Sequence, residues 1–321
     1  MGGRLAHRCV KTATARWGLA LPLDAATDAS PLVTMLVGSD GRGSLPLLLR
    51  RIDDVDVADR RADAIGILVT PCDGGDSILF RVPRDVLVQV PGVGEQRLGW
   101  ALSYGGPARL IETVRNEFAI PVHHYFEIGF AAFSRIVTAH GGLPRAVAGQ
   151  RSDARTGLKR SRALRVSGRR ALALARSRTP VGGPAMTDVE RIAVQDDIVR
   201  ALVRGRSRAR LVFSACALVP RVRRDVVFDE SWTAADAATV LRSVHGANFT
   251  VHHVKASGRP AREDLVCPFA PTLSSTGDTL RMTDFGRLEL AAACLGSAGG
   301  CESAPLGEHD LGNGSTRWVA R

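Results

Sequence analysis

The chain has 321 residues, 45% of them apolar, enough to bury a large core and to exclude a wholly disordered protein. Lys and Arg number 43 against 32 Asp and Glu, a formal charge of +11 that excludes cationic partners and favours nucleic acid, anionic lipid or phosphorylated sugar. Lysine occurs only at Lys11, Lys159 and Lys255, so a coding bias toward arginine accounts equally well for most of the charge.

The first 29 residues form a basic segment with Arg4, Arg8, Lys11 and Arg16 and a short apolar piece at Trp17–Leu23, too interrupted to read as a signal peptide. Pro31–Val37 reads as a buried strand running into Gly38-Ser39-Asp40, and a loop with an apolar patch at Leu45–Leu49 follows. Ala64–Thr70 and Ser77–Val82 read as two more strands, joined through Asp73-Gly74-Gly75-Asp76 as a hairpin. A short helix is expected at Arg97–Ser103. Pro107 opens a second, Ala108–Phe118, with Leu110, Ile111, Val114 and Phe118 at helical spacing. Val122–Ile128 is a strand and Phe130–Ala139 a helix stopped by Gly141-Gly142.

Gln150–Arg170 is strongly basic and reads as a solvated loop. Thr187–Arg204 is an amphipathic helix, with Ile192, Val199 and Leu202 on one face. Ser207–Val219 reads as another helix, and Val226–Asp229, Thr233–Val244 and Phe249–Val254 as a closing αβ segment. Beyond Lys255 the chain is rich in Gly, Pro, Ser and Thr, and a loosely ordered tail is expected. Alternating strands and helices imply an α/β layered fold, a central mixed sheet flanked by helices. The expected division is 1–29, 30–219, 220–255 and 256–321. No apolar run is long enough to cross a membrane as a helix.

None of the six cysteines makes a Cys-x-x-Cys pair, so zinc and a redox dithiol are not expected. Cys72 and Cys216 read as small buried thiols, and Cys294 with Cys301 as a local disulfide if the compartment is oxidising. The adjacent pairs His123-His124 and His252-His253 do not chelate easily, because neighbours on a strand point to opposite faces. There is no nucleophile elbow, Walker loop or dinucleotide fingerprint.

What stands out is a scattered set of arginines and aspartates, each beside a predicted element. Asp40 and Arg42 follow the first strand, Asp63 precedes the second, and Arg84-Asp85 follow the third. Arg176 and Arg178 would point to one face of an extended segment. Asp188, Arg191 and Gln195 share a helix face, placed to orient that pair. Carboxylates that hold a divalent cation and arginines that grip phosphate oxygens are what a pyrophosphate site needs.

In this order the motifs resemble the LytR-CpsA-Psr family of cell-wall glycopolymer ligases, from about Pro31 to about Gly205. The resemblance rests on Gly38-Ser39-Asp40, Arg61-x-Asp63, Pro83-Arg84-Asp85, Tyr104-Gly105-Gly106-Pro107, Ile120-Pro121-Val122-His123-His124-Tyr125, the run from Ser167 to Arg178, and Asp188-x-x-Arg191-x-x-x-Gln195. It implies a Mg²⁺-dependent transferase that moves a glycopolymer from a polyprenyl-pyrophosphate-linked glycan to a peptidoglycan acceptor through a phosphodiester. Asp40 and Asp63 would be the metal-side carboxylates. Arg84, Asp85, Arg176 and Arg178 would be catalytic. Arg42, Arg84, Arg97, Arg176, Arg178, Arg191 and Gln195 would bind pyrophosphate, with Asp85 either orienting Arg84 or acting as base. A pyrophosphatase side activity, a membrane surface as partner and the extracytoplasmic face of the envelope are also implied. The family's usual anchor is not found here, which leaves a truncated start, another export route or a cytoplasmic relic.

Arg97, Gly99, His123 and Val194 stand where the family usually has lysine, asparagine, aspartate and arginine, changes expected near the site. A non-catalytic binder of polyprenyl phosphate or glycan is the alternative function. Nucleic-acid binding through Gln150–Arg170 is a second rival, but aromatics are only 5% and no nucleic-acid motif occurs, so no nucleic-acid partner is expected.

Overall fold

A computed structural model describes residues 11–12, 18–27, 30–40, 60–72, 75, 77–144, 152–158, 163–178, 181, 186, 188–204, 225–244, 249–254, 256–259, 279–282, 307–310 and 316–319. Arg42 lies outside them, as do 150–151 and 159–162 of the basic run and the whole of the helix expected at Ser207–Val219. The elements in chain order are β1 (Leu32–Ser39), β2 (Ala62–Thr70), β3 (Ile78–Val82), β4 (Leu87–Val90), β5 (Gly94–Arg97), α1 (Leu98–Phe118), β6 (His124–Gly129), α2 (Phe130–Ala139), β7 (Leu143–Pro144), β8 (Arg165–Val166), α3 (Gly168–Arg176), α4 (Asp188–Arg204), β9 (Val226–Phe228), α5 (Ala234–Val244) and β10 (Thr250–His253). Further on, β11 (Ala256–Arg259) pairs with β12 (Thr279–Met282), and β13 (Gly307–Asp310) with β14 (Thr316–Val319).

The central sheet has the order β10-β3-β2-β1-β6-β9. β1 runs parallel to β6, and β10 parallel to β3, while β2 is antiparallel to both β1 and β3. The C-terminal ends of β1, β3, β6 and β10 therefore lie together at one end of the sheet, beside the start of β2. Loops leave the sheet from this end, where open α/β sheets bind ligands.

One face of the sheet carries Val33, Met35 and Val37 from β1 and Ile65, Ile67 and Val69 from β2. It packs against Leu102, Leu110, Ile111 and Val114 of α1. The alternation places Leu36, Leu68 and Leu79 on the other face, with Val199 of α4 and Val240 of α5. A separate helical cluster joins Val137, Leu143, Ala171, Leu174, Val194 and Ile198. Leu19, Leu21 and Leu23, from the apolar piece near the N-terminus, pack against the main core.

The two helices expected around Pro107 form one run broken at Gly105 and Gly106, where Gly106 has φ +65°. Glycine tolerates that left-handed backbone, and Pro107 then opens the second segment. The β4–β5 hairpin was not expected from the sequence, although Pro91-Gly92-Val93-Gly94 is a turn signal. Cys72 is in a disulfide, which corrects its reading as a free buried thiol.

Candidate functional site

The candidate site is built at the shared strand ends. Between Gly38 and Ser39 the β1–β2 register slips, so that Gly38 faces Ala64, Ser39 faces Ala62, and Asp63 is the extra residue. A bulge re-aims the side chain it carries. Here it lets Asp63 Oδ1 accept from Arg84 Nη1. Arg84 Nε also donates to Asp85 Oδ2 at 3.3 Å, and Arg97 Nη1 donates to Asp85 Oδ1 at 3.1 Å. The β4–β5 hairpin delivers this second arginine by pairing Arg97 with Leu87. Asp85 thus has an arginine on each oxygen, the geometry that the orienting role calls for. Arg97 also lies over Trp100, 6.0 Å from the ring centroid.

Gly99 belongs to the same construction. Its N–H donates to the Arg84 carbonyl at 2.8 Å, and that of Leu98 donates to the Val86 carbonyl at 2.8 Å. The turn that carries Arg84 therefore satisfies two of the open donors at the start of α1. A Cβ on Gly99 would sit 2.7 Å from the Ala62 carbonyl oxygen and 3.2 Å from that of Arg84. In this chain the backbone approach leaves no room for an asparagine.

Asp40 is buried and holds the start of β2. Its Oδ1 accepts the Arg61 N–H at 2.8 Å, and its Oδ2 lies 3.4 Å from Arg61 Nη2. Asp40 and Asp63 bring hard carboxylate oxygens to one end of the sheet, yet each already faces an arginine. Among the described residues no group of three or more His, Cys, Asp or Glu could hold a metal. This donor set fits Mg²⁺ held by one or two carboxylates and completed by substrate phosphates, not a cage made by protein alone.

Two buried charge networks were missed in the sequence. On the α1 face, Arg60 Nε donates to Glu127 Oε1 at 2.8 Å, and Tyr125 Oη donates to Glu127 Oε2 at 2.7 Å. Burial pulls the Arg60 pKa down, Glu127 pulls it up, and the result is raised. Burial, then the Glu127 charge, lifts the Tyr125 phenol well above its ordinary value. On the opposite face, Arg81 Nη2 donates to Gln195 Oε1 at 2.6 Å, and Arg81 Nε pairs with Asp196 Oδ1 at 3.3 Å. Asp196 Oδ2 lies 3.0 Å from His253 Nε2. Burial lowers the Arg81 pKa, Asp196 opposes this, and nearby Arg191 adds to the lowering. The available signal was a lone charge inside an apolar strand, at Arg81 in β3 and Glu127 in β6.

Arg176 ends α3, with its guanidinium 4.8 Å from the ring centroid of Phe130, the first residue of α2. Arg178 N and Ser177 Oγ both donate to Asp153 Oδ2, at 3.0 and 2.7 Å. Buried Ser177 thus separates two exposed arginines. Gln195 and Arg191 lie on α4 as expected, and Gln195 Nε2 donates to the Ala175 carbonyl at 3.1 Å. Helices α1 and α2 contribute Leu110, Ile111, Val114 and Val137 to packed core.

Two of the family departures have structural partners. His123 precedes β6, and its Nδ1 accepts the Val33 N–H at 2.9 Å, at the opposite end of β1 from Asp40. Val194 is a buried member of the helical core.

A model described as the LytR_cpsA_psr family matches residues 11–264. Among curated relatives, a probable cell wall biosynthesis protein, LcpB of Corynebacterium glutamicum, is 31% identical over 172 residues, 53% of this chain and 40% of that protein. A polyisoprenyl-teichoic acid–peptidoglycan teichoic acid transferase, TagU of Enterococcus faecalis, is 37% identical over 93 residues, 28% of this chain and 30% of that protein. The chain therefore spans less than half the length of either relative. Among solved structures, a LytR-Csp2A-Psr enzyme from Actinomyces oris superposes with TM-score 0.58 at 21% identity, covering 86% of this chain and 97% of that one. TagT bound to LI-WTA gives TM-score 0.61 at 16% identity, covering 87% and 100%. At these identities the likeness is one of fold.

Proposed function

The chain belongs to the LytR_cpsA_psr family, and from that premise we propose that it is a cell-envelope transferase. It would move a glycopolymer from a polyprenyl pyrophosphate carrier to a peptidoglycan hydroxyl. The observation that carries this reading is Arg84, a guanidinium clamped between Asp63 and Asp85 at the ligand-binding end of the sheet. The teichoic acid transferases among its relatives support the substrate class.

In this mechanism the acceptor hydroxyl attacks the phosphorus that bears the glycan, and polyprenyl phosphate leaves. Arg84 and Arg97, held in place by carboxylates, grip oxygens whose charge grows in the transition state, so little reorganisation is needed. Arg176, at the end of α3, and Arg178 after it would bind the same oxygens, and Asp85 would take the hydroxyl proton. A bound Mg²⁺, held by Asp40 and Asp63, would neutralise pyrophosphate charge as a Lewis acid. The Cys72 disulfide supports an oxidising compartment. No helix among the described residues is long and apolar enough to cross a membrane.

One observation favours a second reading, a binder without chemistry: both carboxylates that would hold the cation already face guanidinium groups. The test is phosphate release from a short polyprenyl pyrophosphate, with and without Mg²⁺, for the parent chain and Arg84→Ala. Metal-dependent release lost in the variant supports the transferase. Tight lipid binding without release supports the binder.

A further inference from the structure

We propose that Arg81, which no motif of the chain singles out, is a positioning residue that sets the end of α3 and with it Arg176; this rests on the pyrophosphate-site reading above. Arg81 stands in the apolar strand β3 opposite Gly66 of β2, and its side chain is only 11% exposed. An ideal Cβ on Gly66 would lie 3.8 Å from Arg81 Nη1, so the guanidinium reaches back over the neighbouring strand through space that glycine leaves. A buried guanidinium is tolerated only where its charge and its donors find partners. Here the partners are two successive residues of α4, Asp196 for the charge and Gln195 for a hydrogen bond.

The contact with Gln195 carries information beyond its energy. Arginine has donors and no acceptor, so Gln195 must turn its Oε1 toward Arg81. That choice leaves Nε2 facing the other way, where it donates to the Ala175 carbonyl at 3.1 Å. The last carbonyls of a helix lack partners within the helix, so this donor ties down the final turn of α3. Arg176 is the next residue, and its guanidinium is stacked over Phe130. Arg81 also lies three residues before Arg84 on the same strand and turn. One buried side chain thereby couples the two arms that would hold the pyrophosphate, the Pro83-Arg84-Asp85 turn and the end of α3. Gln195 acts inside the protein, on the backbone of α3.

The test uses the full chain, with two variants that break the relay from opposite ends. Arg81→Met removes the donors, while Gln195→Leu leaves the Arg81–Asp196 pair intact and so protects the fold. Hydrogen exchange over residues 171–178 should quicken about tenfold in both, with β1 and β2 unchanged; unchanged exchange at the end of α3 overturns the relay. Calorimetry with inorganic pyrophosphate reads the second consequence. Gln195→Leu should weaken binding about tenfold in the parent chain and less than twofold when combined with Arg176→Ala. An equal loss in both backgrounds means that Gln195 does not act through Arg176, and overturns the proposal. If Arg176→Ala leaves pyrophosphate affinity unchanged while exchange still quickens, the relay stands and the pyrophosphate-site reading fails.

Discussion

The Gly99 nitrogen donates to the Arg84 carbonyl oxygen at 2.8 Å, so the helix α1 begins on the main chain of the arginine that the site is built around. The same contact fixes what residue 99 can be. Gly99→Ala places a methyl 2.7 Å from the Ala62 carbonyl, a backbone atom that moves only if β2 moves. We expect a loss of about 1–3 kcal/mol, as for other overpacked sites, read from urea unfolding midpoints. Asparagine should cost at least as much, and full stability in either variant would show that α1 can slide away from the turn.

Arg84→Lys keeps the charge and discards the fork. A lysine cannot hold Asp63 and Asp85 together in one plane as the guanidinium does. Turnover of a polyprenyl pyrophosphate should fall by roughly 10²-fold or more, with the circular dichroism spectrum unchanged. Near-normal turnover in this variant would reduce Arg84 to a turn-closing residue.

His123 gives a pH prediction. Its Nδ1 accepts the Val33 N–H, a role that needs the neutral ring, and burial lowers its pKa, a lowering that Asp24 opposes and His124 aids. A depressed folded pKa means that the unfolded chain binds the proton first. The contribution is complete above the unfolded value near 6.5 and is lost as pH falls through the lower folded value. Asparagine carries an acceptor at a similar reach and does not titrate. His123→Asn should therefore show a smaller drop in Tm between pH 7 and pH 5 than the parent chain, by differential scanning calorimetry.

Asp153 is a buried acceptor for the Arg155 and Arg178 N–H groups, at 2.9 and 3.0 Å, and for Ser177 Oγ at 2.7 Å. Truncation to alanine leaves these donors without their acceptor. Asp153→Ala should cost about 2–4 kcal/mol in chemical unfolding and should also weaken pyrophosphate binding, because Arg178 loses its anchor.

Much of the sheet was legible in the sequence because its strands announce both ends. β1 is an apolar run closed by Gly-Ser-Asp, β2 is closed by Pro71, and the β2–β3 hairpin follows from the turn residues between them. Motifs singled out Asp63, Arg84 and Gln195, and the structure gives each a polar partner. Arg81 and Glu127 were not legible, because a charge in an apolar strand reads locally as a solvent-facing position. What makes them internal is Asp196 and Arg60, far away in the chain. Gly99 stood out only as a departure from the family's asparagine, since its reason is a carbonyl on another strand. The disulfide of Cys72 escaped notice for the same reason: spacing along the chain says little about which thiols meet in space.

The pairing of Val251 with Leu79 places the last strand of the sheet beside one made far earlier. Until the ribosome has released residue 253, β3 is an open border that any passing strand can copy. Pairing of strands far apart in sequence is intrinsically slow. A cation in the middle of the border is a guard against such copying. Arg81 can serve the growing chain as a deterrent to misassembly before Asp196 and His253 arrive to enclose it.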